Sequence, residues 1–319
     1  MPALSAIYGT SSTILSNLFI KLPPAQAHPD LPNQTVIVTG SNTGLGLEAS
    51  RHLLRLGVNK LIMAVRSPEK GEAAKRDLLA STNRPSSTVE VWALDMDSPA
   101  SIQAFAARAS AELPRLDGVL ANAGIMTEQF TRGGDGHERT LTVNVVGTFL
   151  LCLLLLPTMR ASARKTGHPC TFTIPNSGLH YTSPLAELQS TPAHESLLAR
   201  LDDQAKANMA GRYPISKLLV LWGVRELAAR VGTLSSSGGK AKGERKGAGP
   251  EVIINSPNPS YCMSNLGRDG RDGRGGAAWD AADKYLARTT EEGGRTLYHG
   301  LFAGVESHGQ YLMNCHVQT

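Results

Sequence analysis

One stretch constrains this chain more than any other: Thr35-Val36-Ile37-Val38-Thr39-Gly40-Ser41-Asn42-Thr43-Gly44-Leu45-Gly46-Leu47-Glu48. Val36, Ile37 and Val38 are β-branched and suit a strand buried on both faces. Gly40, Gly44 and Gly46 then break the run, where glycine permits positive φ and a close approach of other atoms to the backbone. A helix follows, and its first N–H groups and dipole end suit a pyrophosphate. The spacing is Thr-Gly-x3-Gly-x-Gly. On its own such a turn needs no ligand, so Asn42, Thr43 and Leu45 become cofactor candidates only if the rest of the chain agrees.

Downstream, strands and helices alternate. Lys60 to Val65 predicts a buried second strand, with Arg66 at its carboxyl end, next to the adenosine ribose in a doubly wound sheet. An acidic residue there would accept from the ribose hydroxyls of NAD; an arginine can pair with a 2′-phosphate. This points to NADP(H) rather than NAD(H), against the alternative of a solvated arginine. Val89 to Leu94 predicts a third strand, followed by Asp95 and Met96 as adenine contacts, with capping left to Asp97 or Ser98. A fourth strand, Gly118 to Ala121, ends in Asn122-Ala123-Gly124, by itself an ordinary turn. A long apolar helix from about His137 to Arg160 carries Asn144, which either makes a structural bond or holds a water. A fifth strand, Cys170 to Ile174, leads to Pro175-Asn176-Ser177.

Tyr213-Pro214-Ile215-Ser216-Lys217 opens an amphipathic helix over Ile215 to Val231, with Pro214 tolerated in its first turn. Tyr213 and Lys217 are four apart and share a face. In isolation they read as two surface residues, but a nearby ammonium would lower the tyrosine pKa from about 10. A sixth strand over Glu251 to Asn255, a helix over Thr296 to Ala303 and a last strand over Gln310 to Met313 close the chain. His180 and His194 read as isolated surface or loop residues.

Charge and composition exclude several classes. The net charge is +5, but Lys240, Lys242, Arg245 and Lys246 sit together against Glu244, so the remainder is near neutral and offers no nucleic-acid footprint. Four cysteines, Cys152, Cys170, Cys262 and Cys315, lack metal-ligand spacing and read as free thiols in a reducing compartment, with no metal. Cys262 reads first as a small buried residue, with a place in the active site as the other option. The apolar run Ile14 to Ile20 has no basic segment before it, so no secretory signal is expected. It predicts a short amphipathic helix packed on the body, and a cytoplasmic protein. Val143 to Met159 is too short and too polar for a transmembrane segment and predicts a buried interface helix, hence a homo-oligomer. We read residues 1–319 as one domain, with a lead-in over 1–32, a substrate-mouth excursion over 178–212, a flexible insertion over 233–249 and a mobile lid over 261–295.

Four signatures in order, Thr39-Gly40-x3-Gly44-x-Gly46, Asn122-Ala123-Gly124, Ser177 and Tyr213-x3-Lys217, resemble the short-chain dehydrogenase/reductase family over about residues 33–319. Thr43 fits the family's extended branch poorly. Asn42 to Gly46 and Ser177 to His180 are similar to retinol-dehydrogenase-like and fungal biosynthetic members. The resemblance implies an α/β Rossmann-type fold, a doubly wound parallel seven-stranded sheet with helices on both faces. It implies Tyr213 as general acid or base, Lys217 holding the nicotinamide ribose, and Ser177 bonded to the substrate oxygen. It also implies Asn144 supporting a relay water, and Pro259 and Ser264 beside the nicotinamide. Asn176, Ser260 and Ser264 depart from the residues common in relatives. Two functions follow: an NADP-dependent oxidoreductase acting on an alcohol and ketone or aldehyde pair of a small apolar molecule, as in secondary-metabolite biosynthesis, or a catalytically silent NADP(H)-binding sensor with a protein partner.

Overall fold

The computed structural model describes residues 2–189, 196–234, 249–264, 266 and 284–318. The chain opens with helix α1 (Pro2–Phe19). Then come β1 (Thr35–Thr39), α2 (Gly44–Arg55), β2 (Lys60–Val65), α3 (Pro68–Thr82), β3 (Val89–Ala93), α4 (Pro99–Glu112) and β4 (Gly118–Leu120). A short α5 (Arg139–Leu141) runs through a π-turn, Thr142–Gly147, into α6 (Thr148–Thr166). After β5 (Cys170–Thr173) come a 3-10 turn, Gly178–Thr182, then α7 (Ala186–Gln189) and α8 (Leu197–Leu201). The long α9 (Met209–Leu234), β6 (Val252–Asn258), α10 (Thr290–Phe302), β7 (Tyr311–Met313) and β8 (His316–Gln318) follow.

The sheet has eight strands in the order β3-β2-β1-β4-β5-β6-β7-β8. Seven are parallel, as expected; β8 is an additional antiparallel strand, pairing Met313 with His316. It was hidden because the hairpin turn places Asn314 (φ 54°) and Cys315 (φ 62°) in the left-handed region, where glycine usually advertises such a turn. Side chains of one strand alternate between the two faces. Ile37, Ile62, Val119 and Phe172 meet Ile102 of α4, Leu151 of α6 and Val220 of α9 on one face. Val36, Val38, Leu61 and Leu120 meet Leu53 of α2, Leu78 of α3 and Leu297 of α10 on the other. Strand order reverses direction between β1 and β4, so the carboxyl ends of these two strands border a crevice.

Three helices differ from the sequence reading. α9 begins at Met209, so Pro214 lies inside the helix, and Tyr213 and Lys217 sit in its second turn and beyond. α6 continues through Pro157 to Thr166. The 28-residue span Arg139–Thr166 is long and apolar enough to cross a membrane, yet 61% of its most apolar window is buried in the protein, as a core helix requires. Its outward residues include Leu153 and Leu154. α10 begins at Thr290, six residues earlier than expected, because Thr289 and Glu292 form a reciprocal capping box. Gly293 and Gly294, which precede the expected start at Thr296, are where α10 presses on α2. The greater part of the insertion over 233–249 and the Gly/Arg/Asp-rich core of the lid lie outside the described residues.

A β-carbon on Gly294 would sit 2.8 Å from Glu48 Cβ and 3.0 Å from the Ala49 nitrogen. Alanine is a better helix former by about 1 kcal/mol, but this neighbour is backbone and cannot move aside. Gly294→Ala should therefore destabilise the protein, by about 1–2 kcal/mol net, seen as a lower urea midpoint at unchanged slope.

Candidate active site

The glycine turn is built by two left-handed glycines, Gly40 (φ 63°) and Gly44 (φ 61°). A β-carbon on Gly46 would run into the Asn122 amide and the Gly40 carbonyl, so the helix start and the end of β4 meet only because this residue is glycine. Asn122 Nδ2 donates to the Thr39 and Gly40 carbonyls at 3.0 and 3.3 Å, and the Ala123 N–H donates to Thr39 Oγ1 at 2.8 Å. Together these bonds hold the crevice open at a fixed width. Thr43, the N-cap of α2, places no side-chain cap on the first amides, which leaves the helix start facing the cleft.

That cleft has a volume of about 600 Å³, a size that suits a dinucleotide together with a small molecule. Gly40, Asn42, Thr43, Gly44 and Leu45 line its floor. Arg66 lines one end and is exposed, with Lys70 one helical turn further on. Asp95 and Met96 line the same end. Asp95 Oδ1 accepts from the Asp97 N–H at 3.0 Å. Ser98, not Asp97, caps α4, accepting from the Ser101 N–H, which frees Asp97 to pair with Arg139. At the far end stand Ser177, Tyr213, Lys217, Pro259, Ser260, Cys262 and Ser264. Gly46 and Asn144 lie behind the lining.

Asn144 sits in the π-turn, a feature that inserts one residue into a helix and often marks a functional site. Its Oδ1 accepts from the Ile125 N–H at 2.9 Å, and its Nδ2 donates to the Ile125 carbonyl at 2.9 Å and to Ser216 Oγ at 3.1 Å. Ser216 in turn donates to the Tyr213 carbonyl at 2.8 Å. Of the two options the structural bond is made, by the amide to the Ile125 backbone and to Ser216. Asn176, one of the departures from the expected pattern, is buried. It accepts from the Ser177 N–H at 2.8 Å and donates to Ser256 Oγ at 3.1 Å, pinning Ser177 to β6. Ser260 adopts φ 67° and so holds the conformation that glycine would take there.

A family model described as short chain dehydrogenase matches residues 34–168. The chain is 43% identical to the short-chain dehydrogenase anuD of Penicillium roqueforti over 99% of its own length and 76% of that protein's. It is 40% identical to the short chain dehydrogenase/reductase dmxR8 of a Cryptosporiopsis species, over 96% and 88%. The chain belongs to the short-chain dehydrogenase/reductase family. Solved structures agree on the fold. A short-chain type dehydrogenase/reductase from Mycobacterium marinum matches with TM-score 0.62 at 18% identity, covering 89% of this chain and 94% of that one. A short-chain dehydrogenase from Sphingobium yanoikuyae, solved with NADPH, matches with TM-score 0.57 at 18% identity, covering 88% and 87%.

Within this dehydrogenase/reductase the electrostatics of the far end differ from the expectation. Lys217 was expected to lower the Tyr213 pKa. Instead burial raises it above the ordinary tyrosine value, while the bonded Ser177 hydroxyl pulls weakly the other way. Lys217 Nζ donates to the Pro175 carbonyl at 2.8 Å and lies 5.6 Å from the Tyr213 ring centroid. Burial also lowers the Lys217 pKa to about 8. The lysine therefore spends part of its charge on its own desolvation and part on a strand-end carbonyl.

His180, read from sequence as a surface residue, is buried. Its Nδ1 donates to the Ser177 carbonyl at 2.7 Å, and its ring packs on Tyr181 and Tyr311. Burial holds its pKa below the usual histidine value, so the neutral ring braces Ser177. Nothing local in Ser-Gly-Leu-His signals this, because the aromatic partner Tyr311 comes from β7. Lys70 was also missed; a basic residue one turn past Arg66 was the available signal. His194 lies outside the described residues.

Lys217 makes a pH prediction. Its folded pKa, about 8, lies below the ordinary 10.5, so between these values the unfolded chain binds more protons and stability rises with pH. The cofactor-free protein should gain stability relative to Lys217→Met as pH goes from 8 to 10.5, in paired urea titrations; parallel curves would contradict it.

Proposed function

We propose that this protein is an NADP(H)-dependent oxidoreductase that interconverts an alcohol and a ketone or aldehyde on a small apolar molecule, at a step of secondary-metabolite biosynthesis. One observation carries the reading: Ser177, Tyr213 and Lys217 line the same end of the cleft whose other end is the glycine turn with Arg66. The residues present fit a dinucleotide. Gly40, Gly44 and Gly46 leave room at the α2 start for a pyrophosphate, Asp95 and Met96 flank the adenine, and Arg66 and Lys70 are cations suited to a 2′-phosphate. NADP(H) would supply or accept the hydride. The NADPH carried by the Sphingobium neighbour supports this choice of cofactor over NAD(H).

The chain's own residues then do the proton work. Buried Tyr213 stays protonated at neutral pH and is the acid that protonates the carbonyl oxygen in reduction. Ser177, fixed by Asn176 and His180, donates to the same oxygen as negative charge develops. Lys217, which lines the cleft and donates to the Pro175 carbonyl, holds the ribose beside the ring. Asn144 acts as a positioning residue through Ile125 and Ser216. Pro259 and Ser264 border the carboxamide end. The apolar substrate meets Ile125, Leu179 and Leu266 along the wall. Leu153 and Leu154, exposed on α6, suit a second copy of the chain and a homo-oligomer.

Two measurements test this. With a panel of apolar ketones and aldehydes followed by NADPH absorbance, Tyr213→Phe should lower kcat/KM by about 10²–10⁴-fold and leave NADPH affinity within a few-fold. NADPH binding without turnover of any carbonyl by the wild type would favour the silent sensor instead. Arg66→Asp should weaken NADPH about 10–100-fold without weakening NADH; equal wild-type affinity for the two would exclude the assigned 2′-phosphate contact.

A further inference from the structure

Helix α1 is inside out. The sequence reading expected an amphipathic helix packed on the body; it does pack there, but chiefly through small and polar residues, with Tyr8 edge-on to the Tyr181 ring at 5.4 Å. Gly9 meets Tyr181, where a β-carbon would lie 2.5 Å from Tyr181 Cβ, and Ser5 Oγ donates to the Tyr181 carbonyl at 3.0 Å. Ser16 accepts from Asn314 Nδ2 at 2.9 Å, and its carbonyl accepts from Arg288 at 3.1 Å. Asn17 Nδ2 donates to the carbonyls of Tyr261 and Leu286 at 2.7 Å each. These bonds fix the roll of the helix. They leave Leu4 (68% exposed), Ile7 (64%), Leu15 (54%), Leu18 (50%) and Phe19 (76%) facing away from the protein, with Tyr8 and Ile14 beside them.

We propose that this face of α1 seats the protein on an anionic phospholipid surface. At 3.6 residues per turn the outward apolar side chains span an arc of about 140°. That is wider than the seam of roughly 100° or less that a single partner helix covers, and it suits a deformable apolar medium. No charged residue occurs from Pro2 to Ile20. The polar residue within the arc, Ser11, donates to the Ile7 carbonyl at 2.7 Å, so its hydroxyl enters an apolar layer already paired. The flanks are basic and aromatic. Lys21 follows the helix and is exposed. Lys284 is exposed on the segment that Asn17 ties to α1, and the adjacent Tyr285 is 70% exposed. Cations and tyrosine beside an apolar helix face match a headgroup layer. The helix also lies over the 3-10 turn that follows Ser177: a β-carbon on Gly178 would be 2.9 Å from Thr13 Oγ1. The mouth of the cleft and the lipid-facing helix are therefore neighbours, and an apolar molecule dissolved in the membrane has a short path in.

The test is flotation of the full chain with phosphatidylcholine vesicles, with and without phosphatidylserine. Wild type should float with the anionic vesicles. Ile7→Ser/Leu15→Ser/Phe19→Ser should lower partitioning about tenfold or more with an unchanged thermal midpoint. Lys21→Glu/Lys284→Glu, which touches no apolar contact, should lower binding to anionic vesicles roughly fivefold per charge and leave neutral vesicles unaffected. Absence of wild-type flotation, or flotation equal in wild type and both variants, overturns the proposal. So does a wild-type dimer that the triple variant converts to monomer with no lipid binding in either, since a second copy would then be the cover. None of these readouts uses turnover or NADPH.

Discussion

The Asn122 side chain spans the gap between two parallel strands that diverge at their carboxyl ends. β1 and β4 are neighbours in the sheet, but their helices leave to opposite faces, so nothing in the ladder itself fixes the distance between their ends. An amide donating to two carbonyls across that gap does so. The absent side chain of Gly46 lets the amide reach. With this width set, the start of α2, the end of β2 with Arg66 and the end of β3 with Asp95 fall along one trough. Every residue that we assign to a cofactor hangs from that dimension.

At the other end of the trough the geometry is held indirectly. Three side chains that touch nothing reactive, Asn144, Asn176 and His180, are bonded to the backbone of the groups that do. Asn144 holds Ile125 and, through Ser216, the carbonyl of Tyr213. Asn176 holds the nitrogen of Ser177 and His180 its carbonyl. A buried polar network is costly unless each member is paired, and here each has a main-chain partner, which cannot rotate away, with the Ser216 and Ser256 hydroxyls completing the set. The reactive hydroxyls are thus placed by parts of the chain far apart in sequence.

The legible features were those whose meaning is local. A glycine turn, a strand-end arginine and a tyrosine four residues before a lysine carry their geometry in their own spacing, and the cleft brings them together. What was not legible depended on distant partners. The start of α10 was placed at Thr296 instead of Thr290, because only α2, packed against Gly293 and Gly294, explains two glycines inside a helix. His180 looked like a surface residue because Tyr311, which covers it, arrives 131 positions later. The raised Tyr213 pKa depends on burial by neighbours distant in sequence, which the Tyr-x3-Lys spacing does not show. The roll of α1 was not legible either, since the binary pattern says which face is apolar and not where that face points.

The bond between Ser16 and Asn314 joins residues 298 positions apart, and Asn314 occupies the tight bend that introduces the antiparallel strand β8. Closing so long a loop is entropically expensive and is rewarded only when both ends are already shaped. This bond can therefore orient α1 only once the β7–β8 hairpin has placed Asn314. Until then its greasy side has no assigned direction, which makes the interval before completion of the fold the moment when this chain is most open to chaperones and to unintended association.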